Sequence, residues 1–136
     1  MALVVPMQQH SYRFRMRTVA AAAIAILLVS GLPLLAHHGW EGYRSEDFEL
    51  TGTVESTVST SGPHASLKVR ADGEVWNVVL APPPRTERAG LKAGMIPVGE
   101  TVTAYGHRHK DSKTFEIKTE RLRWKDRLFN VYPDRS

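Results

Sequence analysis

Phe48-Glu49-Leu50-Thr51-Gly52-Thr53-Val54-Glu55-Ser56-Thr57-Val58 is the stretch on which the fold turns. Phe48, Leu50, Gly52, Val54, Ser56 and Val58 recur at every second position, and every residue between them is Thr or Glu. Side chains alternate across a strand with period two, so the pattern predicts a β-strand with one buried face. Gly52 inside it predicts a bend or bulge, as a strand needs when it curls into a small barrel.

The same signal repeats downstream. Residues 64–70 alternate with Ala65, Leu67 and Val69 inward. Asp72-Gly73 marks a tight hairpin, and residues 75–80 return with Trp76, Val78 and Leu80 on one face. Trp76 therefore reads as core. Pro82-Pro83-Pro84 stops ladder pairing, and residues 85–91 read as a short helix or turn closed by Gly90 and Gly94. Residues 101–109, with Val102 and Ala104, then 115–124 and 128–132, supply the remaining strands. The expected fold is all-β: a five- to six-stranded antiparallel barrel of OB-like type with one short helical insertion. A β-sandwich is the alternative and would need more strands. The predicted core is Leu50, Val54, Leu67, Val69, Trp76, Val78, Val102 and Ile117.

Upstream of the barrel the chemistry changes. Arg13, Arg15 and Arg17 lead into an apolar run, residues 19–35, that exits on Ala36. Basic, apolar and small-residue segments in that order are the layout of a signal peptide, here with a helical leader, cleaved after Ala36. The alternative is an uncleaved anchor. At ~1.5 Å per residue the run would span roughly 26 Å, short of the ~30 Å hydrocarbon core, and Ser30, Gly31 and Pro33 interrupt it. The expected division is a signal peptide over 1–36, an N-terminal arm over 37–47 and a barrel domain over 48–136. Periplasmic or secreted localisation follows, with membrane contact only through an uncleaved leader.

Residues 37–136 amount to one small domain. Three of the 18 Lys and Arg residues and none of the 14 acids lie in the leader, so the remainder carries 15 cations against 14 acids. Near-neutrality argues against nucleic acid as a partner. The chain has no cysteine, which removes disulfides, thiolate metal sites and cysteine nucleophiles together. It has no GxSxG, HExxH, P-loop or dinucleotide glycine pattern, and its acids are scattered singly. The expected protein is not an enzyme.

The remaining chemistry lies in five histidines: His37, His38, His64, His107 and His109. Imidazole is a common ligand for zinc and copper. Cleavage after Ala36 would leave His37 offering an amine and a ring nitrogen from one residue, with His38 beside it. His107 and His109, two apart on a strand, share a face. In an OB-type order their strand end lies beside the arm, whereas His64 belongs nearer the opposite pole unless the arm folds over. The expectation is a transition-metal site, copper or zinc, on these histidines. The alternative is a metal-free module for a glycan, protein or other small ligand, using Trp40, Tyr43, Trp124, Phe129 or Tyr132 as stacking surfaces.

Several stretches together resemble a family of small exported bacterial proteins of unknown function. They are His37-His38-Gly39-Trp40, Phe48-Glu49-Leu50-Thr51-Gly52, Pro63-His64 and Trp76-Asn77-Val78. Further on come Pro82-Pro83 with Arg88-Ala89-Gly90-Leu91, Gly106-His107-Arg108 before Asp111, and Val131-Tyr132-Pro133-Asp134-Arg135. Gly62 stands before Pro63-His64 where relatives usually carry asparagine. The resemblance implies export and a barrel fold, and it implies no activity.

Overall fold

The structure, a computed structural model, describes residues 39–135. The leader, and with it His37 and His38, lies outside the described residues. The strands are β1 (Phe48–Ser59), β2 (Ser66–Ala71), β3 (Glu74–Val79), β4 (Thr101–Arg108), β5 (Glu116–Trp124) and β6 (Arg127–Asn130), with helix α1 (Pro83–Arg88) between β3 and β4. The sheet runs β3-β2-β1-β4-β5-β6, and a pairing of β3 with β5 closes the first five strands into a barrel. This is the OB-like arrangement. Its neighbours are antiparallel except at the closure, where β3 and β5 run parallel through Val78 opposite Ile117.

The length of β1 makes closure possible. Its first half pairs with β4, Leu50 opposite Ala104, and its second half with β2, Val54 opposite Val69. Gly52 sits where the strand passes between these partners. A Cβ there would lie 2.3 Å from the Arg70 carbonyl oxygen and 2.7 Å from a Val69 methyl, so no side chain fits and the strands cross in close contact.

All eight residues expected in the core are buried, none more than 4% exposed. Leu80, Leu91, Ile96, Leu122 and Phe129 complete it. Asp72 and Gly73 both have positive φ, 52° and 80°, as a two-residue hairpin turn demands. The proline run both ends β3 and starts α1, because a proline in the first helical turn lacks only an N–H that would have no helical partner. Thr86 anchors the helix by donating to the Ala81 carbonyl at 2.8 Å. The last strand is shorter than the sequence suggests. It stops at Asn130, and the Val131 and Tyr132 amides converge on one acceptor, the Glu120 carbonyl, at 2.9 and 3.2 Å. The chain then curls into a 3-10 turn, Pro133–Arg135.

Leu67→Ala or Val78→Ala should each cost about 2–4 kcal/mol of unfolding free energy. Lys68→Ala, exposed on the same strand as Leu67, should stay within about 0.5 kcal/mol. Urea titrations of the three variants check the inward face.

Candidate functional site: the arm-walled cleft beside β5

A break in register between β4 and β5 organises this side of the molecule. Tyr105 faces Arg121 but Gly106 faces Thr119, so Glu120 is an extra, bulged residue. A Cβ on Gly106 would lie 1.9 Å from the Lys118 carbonyl oxygen. Only glycine admits this approach. The bulge leaves Lys118, Thr119 and Glu120 buried in succession, where a regular strand would expose every second residue.

The arm covers that stretch. Tyr43 forms a bridge with His109, the Arg44 amide donates to the Arg108 carbonyl, and the Lys110 amide donates to the Gly42 carbonyl, the last two at 2.9 Å. The Tyr43 hydroxyl donates to one oxygen of Glu116, whose other oxygen accepts from Asn77 Nδ2 at 2.9 Å. Trp40 packs edge-on to Tyr132 and His107, with centroids 5.2 and 5.8 Å away, and the Arg135 guanidinium lies 4.0 Å from its ring centre. Glu120 accepts from Arg135 Nε at 3.2 Å, tying the C-terminal turn to the same bulge.

Lys118 is 2% exposed, which is rare for lysine without compensation. Its ammonium lies 5.6 and 5.7 Å from the ring centres of Trp40 and Tyr132, a cation–π setting in dry surroundings. Burial pushes its pKa down to about 8, against the opposing attraction of Glu116. His64 is also held below the ordinary imidazole value, by burial first and by the Lys118 charge second. Tyr43 and Tyr132 are pushed up, chiefly by burial, and Tyr43 further by its bond to Glu116.

His64 thus stands within the electrostatic reach of the arm-side cluster. His107 Nδ1 is 3.1 Å from the Glu46 carbonyl and Nε2 is 3.2 Å from Glu120 Oε1. Both partners are acceptors, so each ring nitrogen faces a group that a metal ion would have to displace. His109 Nδ1 accepts from the Asp111 amide at 3.1 Å, and its ring packs edge-on against Tyr43. Among the described residues, no three or more His, Asp and Glu side chains converge as metal ligands. Of the expected stacking residues, Phe129 and Tyr132 are buried, while Trp40, Tyr43 and Trp124 keep partial exposure. Lys118, Glu116 and Glu120 carry no motif that singles them out, although the polar run through β5 was visible.

Between the arm and the end of β4 lies a cleft of about 380 Å³, lined by Trp40, Tyr43, Arg44, Ser45, His107, Lys110 and Arg135. Three of these are permanent cations, and no carboxylate side chain lines it among the described residues. Its lining offers donors and cations, with the Trp40 and Tyr43 rings beside them.

Comparisons with known proteins place these observations. A model of a family of unknown function, DUF6152, matches residues 23–118. No curated protein matches the sequence. A crystal structure of apo TiaS, tRNAIle2 agmatidine synthetase, aligns with TM-score 0.46 at 18% identity, covering 58% of this chain and 18% of that one. A ZRD-deleted TiaS mutant in complex with agmatine aligns with TM-score 0.48 at 14% identity, covering 63% and 26%. The chain therefore spans about a fifth to a quarter of the length of those chains.

The buried lysine makes a pH prediction. The folded state releases the Lys118 proton near pH 8, whereas the unfolded state keeps it to about 10.4. Between these values the unfolded chain binds more protons, so stability contributed by this group rises with pH from about 8 towards 10. Above about 10 the raised Tyr43 and Tyr132 work the other way. Lys118→Met should flatten the rise, read as urea midpoints of the two proteins from pH 7 to 10.

Proposed function

The chain belongs to the DUF6152 family of unknown function, and from its geometry we propose an exported, non-enzymatic binding barrel that seats a ligand or a partner's group in the arm-walled cleft. Export is supported by the order of Arg13–Arg17, the apolar run over residues 19–35 and Ala36. The observation that carries the reading is that the cleft's outer wall is fixed. The arm is pinned by the Tyr43–His109 bridge, made by two main-chain hydrogen bonds, and by the Tyr43–Glu116 bond. A pre-formed wall leaves less ordering to be done on binding, and the volume suits a small ligand or one side group of a larger one. The absence of an enzymatic role is supported by how the acids are spent. Glu116 is held by Tyr43 and Asn77, and Glu120 by His107 and Arg135, and neither lines the cleft.

Fragment screening by NMR tests the cleft. Shifts should gather on the Trp40 indole, Tyr43 and Lys110, and Ser45→Trp, which fills the cleft from an exposed position, should remove them without changing the melting temperature. Shifts on Lys68, Arg70 and Asn77 instead would move binding to the β2–β3 face used by other OB barrels and overturn the reading.

A metal site remains a second reading because His37 and His38 stand just before the anchored Trp40. Copper or zinc would be held by the His37 amine and imidazole, which must be deprotonated to bind, with side-chain help from His38, His64 or His109. Adding one residue before His37 converts the amine to an amide. It should weaken copper or zinc binding at least tenfold in calorimetric titration, and affinity should fall as pH drops through about 6.5. Binding that ignores the extension would remove the terminal chelate.

A further inference from the structure

We infer that the group seated in the cleft is the oxyanion head, carboxylate or phosphate, of an amphiphilic organic acid whose apolar body reaches Phe48; the inference rests on the cleft reading above. The charge is local. Outside the leader the chain is close to neutral, 15 cations to 14 acids, yet Arg44 and Lys110 line this one cleft with no acid among its lining residues, joined by Arg135, whose Nε is given to Glu120. Ser45 adds a hydroxyl. Like charges gathered around one concavity raise its affinity for an anion and oppose a divalent cation, and guanidinium groups match carboxylate and phosphate geometry.

The neighbouring concavity sets the other end of the ligand. A cleft of about 550 Å³ shares Arg44, Ser45 and Lys110 with the first and continues over Glu46, Asp47, Phe48 and Arg108. Phe48 is its one apolar lining residue, with its ring stacked on Trp76, centroids 5.5 Å apart, and the Arg108 guanidinium 5.8 Å from its centre. Arginine and lysine stems contribute further apolar wall. A second anionic group entering here would meet Glu46 and Asp47, whereas a hydrocarbon or aromatic body would meet Phe48. The two clefts together thus favour one acid head on an apolar body over a polyanion. This also disfavours nucleic acid, whose phosphates recur along the strand.

The head could come from a free acid or from a lipid headgroup, and the test separates them. The exported full chain is titrated by calorimetry with octanoate, octyl phosphate, octanol, citrate and inorganic phosphate, and by co-sedimentation with phosphatidylglycerol vesicles. Octanoate or octyl phosphate should bind at least tenfold more tightly than octanol, citrate or inorganic phosphate, and more weakly as salt is raised. The double variant Arg44→Gln, Lys110→Gln alters two exposed residues and should keep its melting temperature while losing at least tenfold in affinity for the acid. Vesicle binding lost in that variant, with soluble acids inert, would assign the head to a lipid. Equal binding of octanol and octanoate would overturn the inference and leave the cleft standing. Tighter binding of citrate, acid binding indifferent to the double variant, or no binding of any probe or vesicle would also overturn it. Fragment mapping with Ser45→Trp decides the cleft separately.

Discussion

Lys118 and Glu120 are charged residues on the outer side of β5, and both are buried. Removing either from water is costly unless its charge is met by hydrogen bonds, an opposite charge or an aromatic face. Lys118 is met by Trp40, Tyr132 and Glu116, and the Glu120 carboxylate by His107 and Arg135, while the Glu120 main-chain carbonyl takes the Val131 and Tyr132 amides. Those partners come from both ends of the described chain. The N-terminal arm and the C-terminal turn are therefore held against the barrel by one requirement, that this strip of β5 be dry and satisfied. Gly106 makes the strip possible, since any side chain there would strike the backbone of Lys118.

The cleft is a consequence of that anchorage. Because Trp40 and Tyr43 are held on the β5 side, the intervening and following residues form a wall facing the end of β4, and Arg44 and Ser45 turn towards Lys110 and Arg135. The β2–β3 face, where OB barrels bind oligonucleotides and oligosaccharides, is differently occupied here. Arg70 is paired to Glu55, and Asn77 is committed to Glu116. The concavity walled by the arm lies instead at the end of β4.

The histidines show how the same residue type divides between framework and chemistry. His107 bridges the arm's Glu46 carbonyl and the bulged Glu120, and His109 holds the turn at Asp111 while packing on Tyr43. Each works as a clamp between segments distant in sequence. The spacing of two that places them on one face is compatible with ligation and with clamping alike. What separates the two roles is the set of acceptors and donors that folding brings to each ring.

The strands and the core were legible in the sequence because a strand's alternation is local. Leu50, Val54, Leu67, Val69, Trp76 and Val78 could be assigned inward from their neighbours alone, and Asp72-Gly73 carried its turn in two residues. The barrel type was legible too, from the number of strands and the single insertion after the third. Lys118 and Glu120 were not, because alternation places them outward and nothing within β5 announces a cover. The cover arrives from Trp40 and Tyr43, more than seventy residues earlier, and from Tyr132 and Arg135 beyond the bend after β6. Whether a charged residue on an outer strand face is wet or dry depends on which distant segment lies over it. That is decided by tertiary packing, and with it the place of the cleft and the partners of every histidine described.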